Sequence, residues 1–416
     1  MPVETYPEKQ VCITGVGQSA VGRPSARSAL QLTVDACLEA ITDAGLSPSD
    51  IDGLTTYPGP SQEGGGISPV GATQTMLTLG LKPIWVGAST EGHAHMSAIF
   101  SAIQAIACGL CRHVLVFRTV AQASARAKLH HAGVMGGGPE RGVPARGGSA
   151  WTVPFNAFSP ANIYALYAQA YFEKYNATAE QLGAIAVNGR RMAALNSNAI
   201  YRTPITIQDY LSSRMISSPL RIFDCDTHID GSTAIVFSHR HVARDLPRPP
   251  IEIEAMGMSL GGMGIGFHRG DFTSMPSDQA GAMLWSRTDL KPADVDVAQI
   301  YDGFSILTLL WLESLGFCER GEAAAYVAGG SRIALDGELP MNTSGGQLSA
   351  GRFHGYGHLY EACLQLWGRA GERQVHNARV CAVTNGGFGY GALLLRAESR
   401  LSEAKTDTGS SHPYFT

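Results

Sequence analysis

Along this chain, short apolar runs alternate with longer stretches in which apolar residues recur every three or four positions, and polar turns separate the two. The first kind reads as buried strands and the second as helices packed by one face. Val11–Val16 is a predicted strand, and Ala29–Ala44 a predicted helix with Ala29, Leu32, Val34, Cys37, Leu38 and Ile41 at helical spacing. Gly45 to Asp52 stops that helix and turns the chain into a second strand, Leu54–Tyr57.

The same order returns later. Ile251–Met256 reads as a strand, Asp278–Trp285 as a helix, Asp289 to Asp296 as a turn and Ala298–Tyr301 as a strand. One constant offset carries Pro48, Asp50 and Asp52 onto Pro292, Asp294 and Asp296, and Tyr57 and Gly59 onto Tyr301 and Gly303. Next comes a glycine-rich turn feeding a helix of small residues, 87–109, and then the strand Val114–Phe117. Their counterparts are 344–368 and Val380–Val383. Four elements in one order point to duplication: a half over 1–245 with an insertion at about 120–220, a half over 246–400, and a polar tail, 401–416. Strands and helices alternating at this length predict a mainly parallel sheet with helices on both faces. The alanine-rich helix, apolar all round, is expected between two sheets in a five-layer α-β-α-β-α arrangement.

Composition narrows the function classes. In 416 residues, 44% are hydrophobic and 16% charged, which suits a large enzyme core and argues against disorder. A net charge of −4 gives no pull toward nucleic acid or an anionic membrane. The first ten residues lack the apolar core of a signal peptide, and no run of ~20 apolar residues marks a membrane span. A cytoplasmic protein is therefore expected. Of the eight cysteines, Cys108 and Cys111 have the spacing of a metal or redox pair, but no second pair completes a zinc site.

Several short motifs stand in a telling order: Ser218-Pro219-Leu220-Arg221 through Asp224-Cys225, Asp230 to Ala234, Tyr301-Asp302-Gly303-Phe304, Asn342 to Gly346, and Asn385 to Ala392. On these the chain resembles the thiolase superfamily, within it the sterol-carrier-protein-x branch and its lipid-transfer-protein-like relatives, over nearly its whole length. The resemblance implies a thiolase-like α/β fold of two repeated halves. It also exposes departures. Where a thiolase places its nucleophilic cysteine, this chain has Ser89-Thr90-Glu91-Gly92. Tyr301 or its neighbour stands at one family histidine, and Arg352, in Gly351-Arg352-Phe353-His354-Gly355, at another. A thiol is partly ionised near neutrality whereas a serine hydroxyl needs a dedicated base, so thiolysis and Claisen condensation are not expected.

What remains is an acyl-CoA site that stabilises an enolate, with loops around Ser89, Ser344, Gly345, Gly346, Asn385, Gly387 and Gly389 as its expected oxyanion surroundings. Retro-aldol cleavage of a bulky β-hydroxyacyl-CoA, such as one with a steroid or isoprenoid side chain, needs an enolate but no acyl-enzyme. Relatives of this kind include aldolases that use tyrosines. Tyr301 beside Asp302 is the first candidate for proton transfer, and Tyr356 the second tyrosine, since Arg352 fills the slot of the family's own. Arg352, always charged, suits enolate or phosphate stabilisation. His354 and His358 are spaced to share a helix face, as a metal pair, as a proton donor in the pocket, or as hydrogen-bonded core residues. His93 and His95, after the Ser89 turn, read as lining the same cleft or, in preference, as orienting their loop, and Asp224, Asp226, His228 and Asp230 as structural. Gly136 to Gly148, with Arg141 and Arg146, reads as a loop over CoA phosphates, a surface loop or a partner interface.

Two other functions stay open: a serine- or cysteine-dependent acyltransferase, and a non-catalytic lipid- or acyl-CoA-binding subunit. The resemblance implies a homodimer and a small zinc-ribbon/OB-fold partner protein. It implies no cofactor on this chain beyond the CoA thioester substrate, with zinc confined to the partner.

Overall fold

The computed structural model of the protein describes residues 6–57, 59, 66–88, 94–131, 153–155, 157, 159–260, 271–386 and 389–397. Eleven strands are β1 (Val11–Gln18), β2 (Gly53–Thr56), β3 (Trp85–Ala88), β4 (His113–Ala121), β5 (Met215–Ser217), β6 (Leu220–Arg221), β7 (Asp230–His239), β8 (Ile251–Ser259), β9 (Val297–Gln299), β10 (Val380–Asn385) and β11 (Tyr390–Ala397). The helices of the first half are α1 (Ala29–Asp43), α2 (Ala72–Leu79), α3 (Ser97–Ala107), α4 (Gln122–His131), α5 (Pro160–Tyr175), α6 (Ala179–Ala194), α7 (Ile207–Ser212) and α8 (Arg240–Ala243). Those of the second are α9 (Ser277–Trp285), α10 (Ser305–Ser314), α11 (Ala323–Val327), α12 (Gly346–Ser349) and α13 (Tyr356–Leu366).

Apart from the β5–β6 pair, the strands form one sheet in the order β3-β2-β4-β7-β1-β8-β11-β10-β9. The two halves meet edge to edge at β1 and β8, through the pairs Cys12–Glu252 and Ile13–Ile251. The sheet is mixed rather than mainly parallel. Only β2–β3, β2–β4 and β9–β10 run parallel, while β4–β7, β1–β7, β8–β11 and β10–β11 are antiparallel. The reason is that each half closes on a returning strand, and the short turn from β10 to β11 permits only antiparallel pairing.

Three apolar cores separate the layers. Ala36, Ala40 and Ile41 of α1 pack on Leu54, Leu115, Phe117 and Val236 at one outer face. Ile99 and Ile103 of α3 and Leu359 and Cys363 of α13 share a central core with Val116, Ile235, Ile253, Val383 and Leu393. Leu284 of α9, Leu309 and Leu310 of α10, and Tyr167 and Ile185 from α5 and α6 cover the other outer face. Helices α3 and α13 therefore lie between the two halves of the sheet, as the duplication implies. One packing device recurs in both halves: a Cβ on Gly17 of β1 would strike the Ala36 carbonyl of α1, and one on Gly257 of β8 the Ala280 carbonyl of α9. The halves are also tied by the buried Glu8, whose carboxylate accepts from Arg287 at 2.5 and 2.6 Å.

Candidate active site

Tyr301 follows β9 at the edge of the sheet, and its backbone is held from both sides. Its N–H donates to Thr384 Oγ1 at 2.8 Å, and the Ile300 N–H donates to Asn342 Oδ1 at 2.7 Å. A second segment is drawn against it: the Asp226 N–H donates to the Gly303 carbonyl at 3.1 Å, and Cys225 bridges to Phe304. A third is the turn at 342–355, tied to the second because Thr227 N–H donates to Gln347 O at 3.0 Å and Arg352 N–H to Thr227 O at 2.9 Å. Three segments far apart in sequence thus converge where β9 and β10 end.

The Tyr301 ring is buried and stacks on His95 at 6.2 Å between centroids; His95 in turn lies 4.5 Å from the ring of His354. Asn385 clamps both histidines. Its Oδ1 accepts from His95 Nδ1 at 3.2 Å and its Nδ2 donates to the His354 carbonyl at 2.7 Å. Arg118, fully buried on β4, donates to Tyr57 O at 2.7 Å and to His354 Nδ1 at 2.9 Å. Arg352 donates to Asp226 at 3.0 Å and to Gln122 Oε1 at 3.0 Å.

Burial sets the protonation states. It raises the Tyr301 hydroxyl, and the nearby Asp226 charge raises it further, so the phenol stays protonated at neutral pH. Burial pushes Asp226 up to about 6, with Arg352 opposing the shift. Burial and then Arg118 drive His95 down to about 3, and the same two causes in the same order hold His354 well below the ordinary histidine value. Both rings are neutral. Burial likewise raises the Tyr356 hydroxyl, with Arg118 opposing.

Among the described residues, three buried polar atoms here have no hydrogen-bond partner: Arg118 Nε, Tyr356 Oη and Gln347 Nε2. Gln347 lies close enough to Tyr301 to oppose the rise in its pKa, yet its Nε2 makes no hydrogen bond of normal length. Orphaned groups cost free energy when buried, so these three are available to a polar ligand.

The candidates read from sequence separate into two sets. Tyr301, His354, Arg352, Tyr356 and Asn385 come together with Arg118, His95 and Asp226. Asp302 and His358 take other partners. The Asp302 carboxylate accepts from Gln347 N–H at 2.8 Å and from Leu348 N–H at 3.4 Å, and His358 Nε2 sits 3.0 Å from both Asp302 Oδ1 and the Ile300 carbonyl. They hold the start of α12, where a Cβ on Gly346 would overlap Asp302 and where Gly345 adopts φ 100°. His354 and His358 thus face different partners. Gly389 is buried at the bend before β11. Ser89, His93, Arg141, Arg146 and Gly387 lie outside the described residues.

Arg118 lies in no motif the sequence marks out, Asp226 reads there as structural, and His95 as a loop-orienting or cleft-lining residue. Arg118 left one signal, a lone charge inside the apolar run Val114–Val120. Asp224 and Asp230 do brace the fold, accepting from the Tyr210 hydroxyl at 2.8 Å and from Ser25 N–H at 2.9 Å.

A family profile described as Thiolase C-terminal domain-like matches residues 266–393. The steroid side-chain-cleaving aldolase of Thermomonospora curvata is 33% identical over 391 residues, covering 93% of this chain and 97% of that protein. The chain belongs to the thiolase superfamily. The 17-hydroxy-3-oxo-4-pregnene-20-carboxyl-CoA lyase of Mycobacterium tuberculosis is 34% identical over 364 residues, 86% of this chain and 92% of the relative. Among solved structures, an Ltp2-ChsH2(DUF35) aldolase superposes with a TM-score of 0.83 at 32% identity, covering 95% of this chain and 99% of the other. Within the thiolase superfamily the chain therefore sits in the sterol-carrier-protein-x and lipid-transfer-protein-like branch.

Proposed function

We propose that this chain is a carbon–carbon lyase of thiolase fold that cleaves a bulky β-hydroxyacyl-CoA, with a steroid or isoprenoid side chain, into a ketone and a shortened acyl-CoA. The observation that carries this reading is Tyr301, a buried tyrosine held protonated, stacked on the neutral His95 ring and within electrostatic reach of Asp226 and Arg352. The two relatives above 30% identity and the superposing structure at 32% identity are aldolases or lyases by name, which supports it.

In the forward step the β-hydroxyl gives its proton to Tyr301 Oη while the phenolic proton passes to the Asp226 carboxylate. The Cα–Cβ bond breaks, its electrons enter the thioester as an enolate, and the carbinol becomes a ketone. The proton returns through Tyr301 to Cα, so nothing is consumed. Across His95 from Tyr301, His354 and Arg118 supply donors and positive charge for the enolate oxygen. Cys225, one residue before Asp226, is pushed up to about 12 by burial and by Asp224, which removes this thiol as a ready nucleophile for acyl transfer.

We infer a homodimer, supported by the terminal position of β3 in the sheet and by its exposed flank, where Ile84 is 78% and Val86 47% accessible. A small zinc-ribbon/OB-fold subunit is the second partner we propose, with any zinc belonging to it. The named two-component structure of the aldolase relative supports a hetero-complex. No described helix is long and apolar enough to cross a membrane. Eight free cysteines support a reducing, cytoplasmic setting.

The test is turnover of a steroidal β-hydroxyacyl-CoA, with and without the proposed partner, followed by product mass. Ketone and shortened acyl-CoA, lost in Tyr301→Phe and kept in Ser89→Ala, is the expected result. An acyl adduct on Ser89, or no cleavage in either condition, would overturn it.

A further inference from the structure

We propose that Arg118 is a positioning residue that locks His354 in the Nε2–H tautomer, making the ring a fixed hydrogen-bond donor at the site. The consequence for catalysis rests on the retro-aldol reading above; the lock itself does not.

The chemistry of the two side chains forces the point. A guanidinium carries only donors, so the 2.9 Å contact between Arg118 Nη2 and His354 Nδ1 requires a bare, accepting Nδ1. In a neutral imidazole the proton must then be on Nε2. Neither partner is free to move. Arg118 stands in the middle of β4 with 0% exposure, and its other arm is held by the Tyr57 carbonyl at 2.7 Å. His354 has the left-handed φ of 55°, a conformation uncommon outside glycine, and its carbonyl is clamped by Asn385 at 2.7 Å. Backbone and ring are pinned by residues from two different strands.

Burial first, and the surrounding charges after it, keep the ring neutral. The titratable groups acting on His354 are Arg118 from β4, His95 from the turn before α3, Arg352 from its own loop and His228 from the segment ahead of β7. Each is cationic or a histidine, and all of them disfavour a second proton. Among the described residues no carboxylate pairs with Arg118, so its charge is spent on this histidine, Tyr57 and whatever occupies the site. Its orphaned Nε points to the same conclusion. A buried cation left without an anion is costly, and an enolate oxygen formed nearby would supply one.

The experiment uses the full chain labelled with ring-¹⁵N histidine, read by two-bond ¹H–¹⁵N correlation between about pH 5 and 8, the range in which an ordinary histidine titrates. His354→Gln identifies the signal by its disappearance. In the wild type the expected pattern is protonated Nε2 and bare Nδ1, with no titration in that window. In Arg118→Met the two neutral tautomers should exchange and the two nitrogen signals average, with kcat falling by about 10²-fold. Arg118→Lys, also a donor without an acceptor, should keep the single tautomer and recover about tenfold of that loss. A protonated Nδ1 in the wild type, an imidazolium at neutral pH, or an unchanged spectrum in Arg118→Met overturns the lock. If the methionine variant does not fold, the wild-type and lysine spectra still decide. A locked tautomer in a protein that releases no ketone would refute the retro-aldol reading and leave the lock standing.

Discussion

Helices α3 and α13 are repeats of one another, both eleven residues long and both buried between the halves of the sheet. Aligning their ends places Ile99, Ala102 and Ile106 of α3 opposite His358, Glu361 and Gln365 of α13. The first helix is packed by hydrocarbon. The second carries a hydrogen-bonded network at the same positions: Glu361 Oε1 accepts from Thr343 at 2.8 Å, from Arg373 at 2.9 Å and from Gln365 at 3.1 Å, while Gln299 donates to Thr343 at 2.9 Å. Through Thr343, and through the contact of His358 with Asp302, this network fixes the turn that carries Gln347 and leads to Arg352 and His354. Of the two matching helices, one fills the core while the other holds loops in register around Tyr301.

The largest expected effect tests the residue this scaffold serves. Tyr301→Phe should lower kcat by about 10²–10⁴-fold, the usual weight of a proton-transfer group. Its thermal midpoint should stay near that of the wild type, and a variant that turns over normally would remove the purpose ascribed to α13. Next, Glu361→Ala strips the buried partner from Arg373 and should cost about 3–5 kcal/mol in denaturant unfolding. The molecules that remain folded should also turn over more slowly, because the 342–349 turn loosens. Ile103→Ala in α3 should cost a comparable 2–5 kcal/mol or so, with kcat per folded molecule unchanged. Equal kinetic damage from both substitutions would erase the distinction between the helices.

The smallest effect is a pH dependence. Asp226, held at about 6, is the proposed proton acceptor and must be ionised, so kcat/KM should rise through pH about 6 and fall tenfold per unit below it. The sign for stability is opposite. A carboxyl whose pKa is raised on folding is favoured in its protonated form, and its contribution declines as pH climbs through the folded value. Asp226→Asn is therefore expected to lose activity without a drop in melting temperature at pH 7, and a large drop would show that the pair with Arg352 is mainly a brace.

The repeat was legible because it is written locally. Apolar spacing and turn residues marked β1, α1, β2 and their partners β8, α9 and β9, each within a residue or a few of the observed bounds. Tyr301, His354 and Asn385 could be singled out because they stand in the motifs that carry the family resemblance. Asp302 and His358 looked equally suited to chemistry, and nothing in their spacing reveals that their polar atoms turn toward α12 and the Ile300 carbonyl. The edge joining of β1 to β8 was equally hidden, since it rests on two residue pairs between strands from different halves.

Periodicity and turn chemistry act over a few residues, so the chain alone determined which segments are helix or strand and that their order repeats, while the family resemblance implied a serine where the usual nucleophile stands. Which polar group meets which is settled over far longer separations, because burial leaves each unpaired donor or acceptor to find a partner wherever the packed layers bring one. Arg118 and His354 stand 236 positions apart and 2.9 Å from each other. Only the folded sheet, with β4 and β10 closing on the central helices, brings that arginine to that ring, and sets Asp226 rather than the adjacent Asp302 to act most strongly of the carboxylates on Tyr301.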